Sequence, residues 1–109
     1  MVKNYTIHYV KCWPSIFEVM KSEDKLFDIR KDDRDYKKGD IIVQQEYNQI
    51  TETYTGRENA FKIKWCLRNA SEFGLMDGYV AMSLTPFFTI KIFNYILYIR
   101  KDILKTIFK

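Results

Sequence analysis

Apolar and polar residues alternate over several short stretches of the chain, and the period of that alternation predicts a mainly β fold. Tyr5, Ile7 and Tyr9 alternate with Thr6, His8 and Val10, which predicts a first strand running to Lys11. Phe27 and Ile29 alternate with Asp28 and Arg30, a half-buried strand with its apolar pair turned inward and its charges outward. Ile41, Ile42 and Val43 form a β-branched run. The clearest alternation sets Phe61, Ile63, Trp65 and Leu67 on a core face against Lys62, Lys64, Cys66 and Arg68. A last strand, Tyr79 to Leu84, puts Val80, Met82 and Leu84 on one side. Only one segment breaks into the helical period before this point. Pro14 suits a first helical turn, and Ile16, Phe17 and Met20 follow at helical spacing.

Turn chemistry separates these elements. Asp32 to Asp35 supply side chains that bond nearby backbone in tight turns, and Gly39-Asp40 closes that segment. Thr51 to Arg57 reads as a polar hairpin connection, and Gly74, Asp77 and Gly78 bracket the turn before the last strand. The product is a small curved sheet or barrel with one early helix.

At 109 residues and 47% hydrophobic content, the chain is long enough for one core without covalent staples. Its net charge of +4 points toward nucleic acid only until its distribution is considered. Residues 1 to 84 hold thirteen Lys and Arg against thirteen Asp and Glu, so the excess lies wholly in residues 85 to 109. A binding argument for the main body therefore needs a local patch. The stretch from Lys25 to Asp40 offers one, with eleven charges in sixteen residues. Cys12, Cys66 and the single histidine, His8, do not make a zinc site, and two reduced, half-buried thiols are expected. No glycine-rich phosphate loop, nucleophile elbow or metal-ligand spacing is present, so neither cofactor nor metal is implied. The amino-terminal residues lack the apolar run of an export signal, which predicts a cytoplasmic protein.

Six short motifs occur in order. They are His8 and Lys11; Trp13, Pro14 and Phe17; Phe27, Asp28, Arg30 and Lys31; Asp33, Arg34, Tyr36, Gly39 and Asp40; Tyr54 to Arg57; and Gly78 to Val80. In this arrangement residues 5 to 84 resemble the PUA-like superfamily that includes the ASCH domains, and within it a small family of uncharacterised function from bacteria and phages. The resemblance implies a small PUA-like β-barrel of five to six strands over residues 1–84, flanked by helices, with a cleft beside the charged strand. Two positions depart from the family pattern: Ser22-Glu23-Asp24 stands where a glycine is usual, and Asp28 where a glutamate is usual.

Related domains are taken to bind RNA, and the residues fit that chemistry. Lys25, Arg30, Lys31 and Arg34, with Lys11 and His8 nearby, suit phosphates, and an exposed Tyr36 suits stacking on an unpaired base, with Asp28 beside them. The structural reading of the same residues is that Arg30 pairs with Asp28 or Asp33 and that Tyr36 closes the barrel end as core. His8 is read foremost as a hydrogen-bonded packing residue. A hydrolase reading follows from ASCH relatives that resemble amidohydrolases of acylated nucleosides; it would use Lys25, with Asp28 in place of a threonine and Glu58 or Glu46 as the carboxylate. A negative neighbour keeps a lysine charged, which argues against that chemistry. A phage-type adaptor that binds a host protein is the third reading.

Residues 85–109 hold fourteen apolar residues in twenty-five, with Lys91, Asn94, Lys101, Lys105 and Lys109 at near-helical intervals. An amphipathic helix is expected there, with extension of the sheet as the alternative for its first part. Too few uncharged residues separate Lys91 from Arg100 to span a bilayer, so this segment is expected to pack on the barrel or to form a homodimer contact through residues 87–108.

Overall fold

The computed structural model describes residues 4–92 and 95–100, with side chains through residue 87. The elements follow in the order β1 (Ile7–Cys12), α1 (Pro14–Lys21), β2 (Phe27–Lys31), β3 (Ile41–Asn48), β4 (Thr53–Leu67), β5 (Tyr79–Ile92) and β6 (Tyr95–Arg100). One 3₁₀ turn, Ser71–Phe73, lies between β4 and β5. The strands form a single sheet in the order β1-β3-β4-β5-β2, with β6 paired to the far end of β5. Among the described strands, only the β1–β3 pairing is parallel. These pairings make the two edge strands, β1 and β2, antiparallel to each other, and the sheet curls into a half-barrel so that they border an open seam. This matches the expected mainly β, barrel-like class with one short early helix. No helix among the described residues is long and apolar enough to cross a membrane.

The core lies in the concavity. Val10 of β1, Ile42 of β3, Phe61 and Ile63 of β4, and Val80, Met82 and Leu84 of β5 meet there with Tyr36. Met20 joins them from α1. The helix starts at Pro14, where a missing N–H costs nothing, and buries Phe17 and Met20 as their spacing requires. It ends through Glu23, whose φ of 67° takes the left-handed conformation that a glycine would adopt at lower cost. The departure at Ser22-Glu23-Asp24 is thus absorbed by a glutamate under backbone strain.

Four sequence expectations change. First, the faces of β2 are inverted: Phe27 and Ile29 are 50% and 53% exposed, while Asp28 is 7% exposed. Register is the cause, because Asp28 and Arg30 stand opposite Met82 and Val80, whose side of β5 is core. Second, a β-bulge between Ile63 and Trp65 slips the alternation of β4. Trp65 turns outward at 57% exposure and Cys66 packs against the core instead. Third, Tyr54 to Arg57 belong to β4 rather than to a connection; the turn lies ahead of them, where Asn48 Oδ1 accepts the N–H groups of Ile50 and Thr51. Fourth, residues 85–92 and 95–100 are strand, the sheet extension that was the alternative to a helix, and β5 runs unbroken past Leu84 to Ile92. The remainder of the expected helix, residues 101–109, lies outside the described residues, as does that part of the expected dimer contact.

Candidate functional site

An open half-barrel leaves backbone groups on both edges that the sheet itself cannot pair. Arginines from the β2 side meet this need across the seam. Arg30 Nη2 donates to the Lys11 carbonyl at 3.0 Å, and Arg34 Nη1 donates to the Tyr9 carbonyl. Asp28 fixes the first of them by accepting Arg30 Nε at 2.6 Å. The inward-facing acid of β2 therefore orients a guanidinium that clasps β1. This clasp explains how a strand can turn its charges toward the interior without leaving them unpaired.

Two hollows flank the clasp. The first, about 550 Å³, opens between Trp13 and Ile16 at the start of α1 and Phe27 and Ile29 of β2, with Cys12 and Asp28 also lining it. Lys11, Lys25 and Arg30 bring cations to it. The second, about 420 Å³, lies between Tyr9 and Tyr54 on one side and Lys31, Asp33 and Arg34 on the other. Exposed rings stand along the whole seam: Trp13 at 56%, Phe27 at 50%, Tyr9 at 47% and Tyr54 at 53%. Lysines sit against some of the rings. Lys25 Nζ is 4.6 Å from the Phe27 ring centroid, and Lys11 Nζ is 4.3 Å from that of Tyr47, which stacks on Tyr54.

Cys12 is buried rather than half-buried. Burial, reinforced by the Asp28 charge, pushes its thiol up to about 11 against the opposing pull of Arg30 and Lys25. It stays protonated at neutral pH and does not act as a thiolate nucleophile.

Around Tyr36 the key carboxylates are tied down. Asp40, 4% exposed, accepts His8 Nε2 at 2.8 Å, the Thr6 N–H at 3.0 Å and the Lys37 N–H at 3.1 Å. Burial alone would raise the Asp40 carboxyl, but the bond from His8 and the two backbone N–H groups outweigh it and hold the carboxyl below its ordinary value. The His8 ring packs 4.6 Å from that of Tyr36. Arg68 grips Asp32 with Nε and Nη2 and also donates to the Tyr36 carbonyl at 2.6 Å. Asp32 thus bonds a distant arginine, not nearby backbone as its turn position suggests. At the far end of the barrel, Glu46 accepts from Thr55 and Arg57, and Arg57 also binds Glu18.

Most residues predicted from sequence meet at the seam. Lys11, Lys25, Asp28 and Arg30 line the first hollow; Lys31, Arg34 and Tyr36 line the second. His8 lines neither and serves the Asp40 cluster. Tyr36 is not the exposed ring expected: it is 2% exposed, its ring belongs to the core, and burial raises its hydroxyl above the ordinary value. Glu58 also lines neither hollow; it accepts Gln45 Nε2 at 3.1 Å, so Lys25 and Asp28 meet without it. Sequence reasoning missed Trp13 and Phe27 as site residues because apolar side chains are assigned to a core by default. The available signal was an aromatic residue beside a lysine at each edge strand: Lys11 before Trp13, and Lys25 before Phe27.

No curated protein matches the chain. A family model does match it, over residues 7–84, which run from the first residue of β1 to Leu84 of β5 and so include both walls of the seam. The chain belongs to the family described as "Domain of unknown function (DUF3850)".

Proposed function

We propose that this half-barrel is a PUA-like, ASCH-related domain that binds single-stranded RNA along the β1–β2 seam. One observation carries the reading: cations and exposed rings line the same two adjoining hollows, Lys11, Lys25 and Lys31 together with Trp13, Phe27, Tyr9 and Tyr54. Single strands are held by this combination, because phosphates need positive charge while every unpaired base offers a π face. Lysine stems are flexible and their heads remain hydrated, so they follow a backbone without demanding one sequence. The clasping arginines position β1 and β2 and thereby set the width of the site.

The test is binding of fluorescent single-stranded and hairpin RNA pools across a salt series. Wild-type protein is expected to prefer single strands and to lose affinity as salt rises. Replacing Lys11, Lys25 and Lys31 together by alanine should reduce the log–log salt slope by about 2, at roughly 0.7 per single-strand phosphate contact. No RNA binding, or an unchanged slope in the triple variant, would overturn the reading. In that event a protein partner or a nucleoside takes its place, and pull-down and small-molecule binding separate those two.

A further inference from the structure

The bulge in β4 does more than interrupt a pattern. It leaves Ile63 in the core and turns Lys64 and Trp65 outward side by side, a cation next to an indole. The strand registers then set Trp65 of β4 and Phe27 of β2 on either side of Ser83 of β5. Both rings are about half exposed, at 57% and 50%. Phe27 is also a wall of the first hollow, so this outer sheet face continues directly out of the seam. Lys25 stands over the Phe27 end, and Lys64 beside the Trp65 end.

We propose that a single RNA strand leaves the seam over β2 and crosses this face, with one unpaired base stacked on Phe27 and another on Trp65; this rests on the RNA reading of the seam. The layout favours nucleic acid over a protein partner. Two rings two strand spacings apart, roughly 10 Å, with a serine between them and a cation at either end, match alternating bases and phosphates. The core of a protein interface would be continuously apolar and depleted of lysine.

The chain has two tryptophans, one on each surface, so each can report its own site. Trp65→Phe leaves only Trp13 emitting, and Trp13→Phe leaves only Trp65. The probes are oligouridylates of about four and about twelve nucleotides, spanning the usual range of single-strand sites. The short probe should quench Trp13 and not Trp65; the long probe should quench both. Trp65→Ala should weaken the long probe at least about fivefold, the low end for one lost base stack, and leave the short probe unchanged. Quenching of Trp13 without Trp65 by the long probe overturns the platform and leaves the seam standing. Quenching of neither overturns the seam and the platform together. A Trp65 emission that shifts with protein concentration in the absence of RNA assigns this face to a second copy and also overturns the proposal.

Discussion

On either side of Tyr36 the same residue types do opposite work. On the Asp40 side, carboxylates are held by converging donors: buried Asp40 takes three, and half-buried Asp32 takes both arms of Arg68. On the seam side, lysines line open hollows beside exposed rings, Lys25 bonding the nearby Phe27 carbonyl at 2.8 Å, and the arginines reach across to the backbone of β1. The difference is one of desolvation. A buried charge with fixed partners cannot be released to a ligand without leaving those partners unpaired, so it serves the fold. A hydrated lysine head can exchange water for a phosphate at little cost, so it is available for binding. Charge density along the sequence therefore does not distinguish the two regions, but burial does.

The largest effect should come from breaking the buried side. Asp40→Ala removes the acceptor of His8, Thr6 and Lys37 and is expected to cost about 2–4 kcal/mol, read as a lower urea midpoint at an unchanged slope. A loss under about 0.5 kcal/mol, the range of ordinary surface substitutions, would erase the contrast between the two regions. Lys31→Ala, at an exposed position, supplies that surface reference and should stay within it.

The arginines probe the boundary between the regions. Arg30→Ala leaves the Asp28 carboxylate buried without its partner and the Lys11 carbonyl without its donor, and should cost about 1–3 kcal/mol. Arg34→Ala gives up one exposed bond to Tyr9 and should cost under about 1 kcal/mol. Equal losses in the two variants, measured by urea unfolding, would show that Asp28 does not depend on its clasp.

How much of this was legible in the sequence depended on whether periodicity alone decides a side chain's direction. Val80, Met82 and Leu84 alternate on a strand flanked by neighbours on both sides, and their face was read correctly. Phe27 and Ile29 alternate as well, but periodicity defines two faces without saying which is inward. Pairing with β5 decides that, and it is a tertiary fact. The bulge after Ile63 adds one residue that no local pattern announces, so Trp65 was assigned to the core and Cys66 to the surface. Within the candidate site, the cations of Lys25 to Asp40 were visible because charges rarely cluster without a role. The rings beside them were not, since a tryptophan or phenylalanine is read as core until the structure exposes it. Tyr36 is the converse: a tyrosine in a charged loop reads as exposed, yet it fills the core beneath that loop.

Acid should sharpen the contrast further. The Asp40 carboxyl lies below its ordinary value of 3.8 in the folded protein, so the unfolded chain binds its proton first as pH falls. The stability it contributes is complete above that ordinary value and is lost as pH drops through the folded one. Asp32 behaves in the same direction because the hydrogen bond from Arg68 holds its carboxyl down. Glu18 is held down likewise by the hydrogen bond from Arg57. Urea midpoints should therefore fall between about pH 5 and pH 3, and fall less steeply in Asp40→Asn, which lacks one of these three groups. Parallel declines in wild type and variant would remove Asp40 from the acid response.

The smallest effect comes from the backbone at the exit of α1. Glu23 holds a φ of 67° at the exit of α1, two residues before Lys25. A left-handed conformation costs a residue with a Cβ about 1–2 kcal/mol, while a glycine there gives back about 0.4–1 kcal/mol through the freer unfolded chain. On these backbone terms alone, Glu23→Gly should raise stability by about 0.5 kcal/mol, a small upward shift of the urea midpoint. RNA affinity and its salt slope should not change, because the strand register of β2 against β5, rather than the turn, sets where the seam's charges stand. A Glu23→Gly variant that is more stable but binds RNA more weakly would show that the strained turn itself aims Lys25 into the seam, and the division between residues that hold the fold and residues that bind would then run through the backbone of this turn.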